Sequence, residues 1–100
     1  MKINICNIPY EVRYIDDSFS QDVQFGEIKY LEGVIRINKN ISDELKRRTI
    51  WHETVHGILG LIGRGDLSED EVLVSNLATA LDGCAELKGI AERREDERKL

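Results

Sequence analysis

The hundred-residue chain contains two histidines, His52 and His56, and they stand four apart in the stretch His52-Glu53-Thr54-Val55-His56. On a helix that spacing stacks two side chains on one face, so both imidazoles can reach a single ion. Glu53 projects beside them, free to act on a water held by that ion. Zinc in a catalytic site takes three protein ligands and leaves a fourth position for water, which it acidifies enough to attack a carbonyl near neutral pH. The HExxH spacing therefore implies Zn²⁺ as cofactor, His52 and His56 as metal ligands and Glu53 as the catalytic carboxylate. The plain alternative is a pair of half-buried helix histidines satisfied by hydrogen bonds; the confinement of every histidine to the motif weighs against it.

A third ligand must come from elsewhere, and no histidine is left to supply it. Cys6 and Cys84 lie in different expected elements without CxxC spacing, so neither a disulfide framework nor a cysteine metal site is indicated; both are expected to be buried free thiols. The carboxylate candidates are Asp66, Glu69, Asp70 and Glu71. Glu71 opens a run in which Val74, Leu77 and Ala78 face the core, so it shares their inward face, whereas Glu69 and Asp70 turn outward. At 1.5 Å per residue, a first helix reaching Ile62 would overshoot His56 by about 9 Å, while Glu71 would lie about 4.5 Å into the next helix. Ending the first helix near Gly60 brings Glu71 level with the histidines. Ser68 and Glu71 are also spaced as a capping box, a role that competes for the same carboxylate.

The elements that position these residues follow from periodicity. Ile3 and Ile5, a turn at Asn7-Ile8-Pro9, then Tyr10, Val12 and Tyr14 read as a hairpin. Asp16 to Asp22 is polar and acidic and reads as a surface loop. Ile28 and Tyr30, a turn at Glu32-Gly33, then Ile35 and Ile37 read as a second strand pair. Ser42 is an N-cap, with Asp43 and Glu44 favouring the positive end of a helix dipole. Leu45, Trp51, Val55, Ile58, Leu59 and Ile62 form the apolar face of that helix, until Gly57, Gly60, Gly63 and Gly65 weaken and end it. The expected fold class is α+β: a short antiparallel sheet of three to four strands, then an αα-hairpin joined through glycines. From Glu86 the chain becomes almost wholly charged and reads as a solvated helical tail.

At 41% hydrophobic and 33% charged, one hundred residues fit a single small globular domain. The net charge of −5 disfavours nucleic acid, whose phosphates need a basic surface, and disfavours an anionic membrane. The first residues alternate polar and apolar, unlike a signal peptide, and no run is long enough to span a bilayer, so a cytoplasmic protein is expected.

The segment from His52 to Leu81 resembles the minimal gluzincins of bacterial and phage origin, close to the ImmA/IrrE family of HExxH metallopeptidases. The motif itself carries the resemblance, with Glu71, Val74, Leu77 and Ala78 matching a pattern like E-x-x-V-x-x-L-A and Leu67-Ser68-Glu69-Asp70-Glu71 before it. The strands ahead of Ser42 suit the amino-terminal sheet of small members. The resemblance implies a zincin-like domain in which His52, His56 and Glu71 hold Zn²⁺ and Glu53 moves the proton in peptide hydrolysis. Its substrate would be an extended protein segment, pairing with an edge strand, and its role regulatory in a phage or mobile element, such as cleaving a repressor. Gluzincins often place an acidic residue four positions after the ligand glutamate; here Ser75 stands there, a weaker hydrogen-bonding partner for a ligating imidazole. Asp82 follows Leu81 where small members tend to carry an aromatic, leaving Tyr10, Tyr14 and Tyr30 as substitutes to stabilise a tetrahedral intermediate. A second class remains: a zinc-stabilised protein-interaction module without turnover. Glu53 favours the enzyme, because a structural zinc closes its fourth position and has no use for a carboxylate beside its ligands.

Overall fold

The computed structural model of the protein describes residues 1–16 and 25–85. The loop expected over Asp16 to Asp22 lies, beyond Asp16, outside the described residues, as does the charged tail expected from Glu86.

The amino-terminal hairpin forms from β1 (Lys2–Ile5) and β2 (Ile8–Ile15). Its turn is Cys6-Asn7, both with positive φ, 52° and 65°, which is the backbone that matches strand twist in a two-residue hairpin. Pro9 falls inside β2 opposite Asn4, two residues before β2 gains its other neighbour at Glu11, so its missing N–H removes no bond from that second ladder. Ile3, Ile5, Tyr10 and Val12 point inward and are buried. The cysteines differ from expectation: both thiols are free but exposed. Cys6 sits on the turn, and Cys84 lies in the last turn of a helix with its Sγ donating to the Ala80 carbonyl at 3.0 Å.

The second hairpin, β3 (Gly26–Lys29) and β4 (Val34–Asn38), matches its sequence pattern. The sheet, however, is mixed, in the order β1-β2-β4-β3, with β2 and β4 parallel, where an all-antiparallel sheet was expected. Alternation records which face a residue takes and says nothing of which strand lies beside it. The centre goes to β4, whose Val34, Ile35 and Ile37 are all buried. That leaves β3 as an edge.

Helix α1 (Asp43–Leu61) starts where Ser42 Oγ accepts from the Leu45 N–H at 3.1 Å. It lays Ile50, Trp51, Val55 and Leu59 on the sheet in one core with Ile35 and Ile37. Its end is a Schellman motif: Gly63 has φ 81°, its N–H reaches the Gly60 carbonyl, and the Arg64 N–H reaches Leu59 at 2.8 Å. Ile62, expected on the apolar face, becomes the exposed C-cap.

A single-turn α2 (Gly65–Ser68) then intervenes before α3 (Glu71–Cys84). The capping box expected from Ser68 and Glu71 does not form. Asp70 is the N-cap of α3, its Oδ1 accepting from the Leu73 N–H at 3.1 Å, which frees both Ser68 and Glu71 for other partners. Val74 and Ala78 join the core against α1. At the far end Asp82 ties α3 to α1 through two bonds to Arg47, at 2.6 and 3.2 Å. Among the described residues no helix is long and apolar enough to cross a membrane.

Two variants probe this frame. Ile35→Ala should cost about 2–5 kcal/mol in denaturant unfolding, the usual range for emptying a buried isoleucine site. The Arg47 guanidinium holds the Asp82 carboxyl below its ordinary pKa, so the tie stabilises above the usual carboxylate range and fades as pH falls through the lowered value. Asp82→Asn should therefore lower the melting temperature by several degrees at pH 7, and the gap to the parent should shrink on acidification.

Candidate metal centre

Both motif histidines stand on α1 and point toward the first turn of α3. Their ring centroids are 4.9 Å apart, with the planes inclined at 66°. Glu71, the first residue of α3, spans them: one carboxylate oxygen lies 3.2 Å from His52 Nε2 and the other 3.1 Å from His56 Nε2. One donor atom from each of the three lies within 4.8 Å of the other two. With zinc–nitrogen and zinc–oxygen bonds of about 2.0–2.2 Å, neighbouring donors around one tetrahedral ion stand roughly 3.3 Å apart, so this spacing and this donor chemistry fit the metal.

The four acidic candidates are thus divided by the fold. Asp66 is bound by Arg64 through two hydrogen bonds, at 3.0 and 2.9 Å, which hold its carboxyl down to about 2. Asp70 caps α3. Glu69 lines the neighbouring cleft. Glu71 alone among the four meets the histidines.

Electrostatics favour ligation by His56. Burial pushes its imidazole below the ordinary range, outweighing the nearby Glu71 carboxylate, and so favours the neutral ring with a lone pair to offer. Its other nitrogen, Nδ1, lies 2.9 Å from Ser68 Oγ. With Nε2 turned to an ion, Nδ1 carries the proton and donates to Ser68, which fixes both tautomer and ring. Sequence reasoning placed this supporting role on Ser75. Ser75 lines the same cleft but hydrogen-bonds neither imidazole among the described residues. The signal for Ser68 was present in Asp70, as good an N-cap as serine, which made Ser68 dispensable for capping.

Glu53 is 7% exposed, buried where β3 crosses α1. Desolvation, then repulsion from Glu71 and Glu27, raises its pKa to about 7, against a lowering hydrogen bond from the Ile28 backbone N–H. A carboxyl poised there can both accept and return a proton near neutrality. It opens on a cleft of about 980 Å³ walled by β3 on one side and α3 on the other, with α1 as floor. Of the three tyrosines, Tyr10 is buried in the core and Tyr14 lies under the Lys46 ammonium. Tyr30 lines the cleft, but its hydroxyl donates to the His56 carbonyl at 2.8 Å and packs over Gly60, where a Cβ would meet it at 2.9 Å. It anchors the end of β3 on α1.

Comparison of the chain with protein-family models, with curated proteins and with solved structures yielded no match.

Metal titration tests the arrangement. Glu71→Ala should weaken zinc binding far more than Glu69→Ala, and the reverse ranking would refute the ligand set. Ser68→Ala should cost about 10- to 100-fold in zinc affinity, as loss of a ligand's hydrogen-bond partner commonly does.

Proposed function

We propose that the protein is a zinc-dependent peptidase of gluzincin type, hydrolysing peptide bonds in extended protein segments. The observation that carries the reading is the placing of a buried carboxyl, Glu53, beside a His52–His56–Glu71 donor set in an open cleft under β3, the edge strand of the described sheet. Zn²⁺ held by His52, His56 and Glu71 would supply a Lewis acid that polarises the scissile carbonyl and acidifies water.

The chain's own residues do the rest. Glu53 takes the proton from the attacking water and passes it to the leaving amine, and its raised pKa suits both halves of that exchange. Ser68 holds His56 in the tautomer that presents Nε2. β3, which has no strand on its outer side among the described residues, offers backbone groups to an extended peptide, which binds as an added strand. Burial of Glu53 beneath β3 shields the proton transfer from bulk water. The gluzincin resemblance implies a regulatory target such as a phage repressor.

Glu53→Gln decides between enzyme and metal-stabilised interaction module. The variant should retain one zinc per chain by elemental analysis and lose hydrolysis of an unstructured protein such as casein by about 10²- to 10⁴-fold. Hydrolysis indifferent to the substitution would sink the mechanism, and zinc binding without hydrolysis in either protein would favour the module.

A further inference from the structure

The walls of the cleft carry an asymmetric charge. Four carboxylates line it, Glu27, Glu53, Glu69 and Glu71, against a single permanently charged cation among the described residues, Arg48. Arg48 differs from its neighbour Arg47. Arg47 is committed to Asp82 by two hydrogen bonds. Arg48 approaches Asp82 at 3.7 Å and Glu44 at 3.9 Å and makes no hydrogen bond among the described residues, so none of those residues fills its fork of five N–H donors. Phe25 and Leu45 beside it supply apolar walls.

The position of Arg48 along the cleft follows from how β3 lies on α1. Gly26 sits against Thr49, Ile28 donates to Glu53, and Tyr30 covers Gly60, so strand and helix run in the same direction. A peptide added antiparallel to β3, the more stable pairing, runs from the Tyr30 end to the Phe25 end. Arg48 then faces the part of the peptide on the carboxyl side of the bond opposite Glu53. It precedes His52 by one helical turn, about 6 Å along the axis, and an extended peptide covers that in about two residues.

Resting on the peptidase reading, we propose that Arg48 forms a subsite for a substrate carboxylate within about two residues of the scissile bond on its carboxyl side. Elsewhere in the cleft an acidic side chain meets only like charge; here it meets a guanidinium that Asp82 and Glu44 approach only at ion-pair distance, its donors still open in the planar geometry that carboxylates bind. The carboxylate comes either from a Glu or Asp side chain or from the carboxyl terminus of the peptide.

The test uses synthetic decapeptides in which each position in turn carries Glu, Gln or Lys. They are made with blocked ends and, in a second set, with a free carboxyl terminus, and cleavage is mapped by mass spectrometry. Binding of the same peptides is measured on zinc-loaded Glu53→Gln protein. Glu should exceed Gln by about tenfold at one position past the bond, the scale of one charge-assisted pair, and the preference should shrink with added salt. Arg48→Gln should bring the Glu-to-Gln ratio toward one, and Arg48→Glu should reverse it in favour of Lys. Lys46→Gln, outside the cleft and paired with Asp43, should keep the ratio. Preference in the blocked set identifies a side chain, and preference confined to the free set identifies a chain terminus; either supports the subsite. Cleavage with no carboxylate preference, a preference that survives Arg48→Gln, or no peptide binding at all would overturn it. A carboxylate preference in binding with no cleavage by the parent protein would keep the subsite and remove the peptidase.

Discussion

The close seat of β3 on α1 is the contact on which the candidate site depends. At Gly26 an added Cβ would stand 2.7 Å from the Thr49 methyl and 2.8 Å from the Arg36 carbonyl, so the strand comes nearer the helix than any other residue there would allow. That approach brings the Ile28 N–H to Glu53, removes the carboxyl from water and raises its pKa. Because β3 is also the edge of the sheet among the described residues, the strand that buries Glu53 is at the same time a wall of the cleft. One contact thus serves both the proposed proton transfer and the proposed peptide seat.

The donor set depends on a different constraint, the meeting of two helix ends. The Schellman motif at Gly63 stops α1 just past His56, and α2 turns the chain so that α3 begins at Glu71. Starting the helix there costs α3 the capping box but gives Glu71 to the imidazoles, with Asp70 taking over the cap. The arrangement sets Glu53 and Glu71 close enough to repel, which contributes to the raised pKa of Glu53. A cation held at the proposed site would relieve repulsion of that kind.

Periodicity was sufficient for the α+β class, both hairpins and the start of α1, because each is a local pattern of side chains and caps. It failed for the pairing of β2 with β4, since alternation is blind to neighbours. It also failed for the cysteines, which hydrophobic habit would bury but which fall on a turn and on the exposed last turn of a helix. Capping showed a subtler failure. Ser68 and Asp70 are both good caps two residues apart, and only the packing of α3 on α1 chose between them.

For the site itself, the sequence determined the donor types: two imidazoles stacked on one helical face with a carboxylate beside them, and a short list of acidic residues for the proposed third donor. Tertiary structure decided which of those acids met the histidines, since that depends on where one helix stops and the next begins. It also decided that Ser68 supports His56 and that Glu53 is buried under a strand. Those partners are twelve and twenty-five residues away along the chain, and no local periodicity encodes a contact made through space.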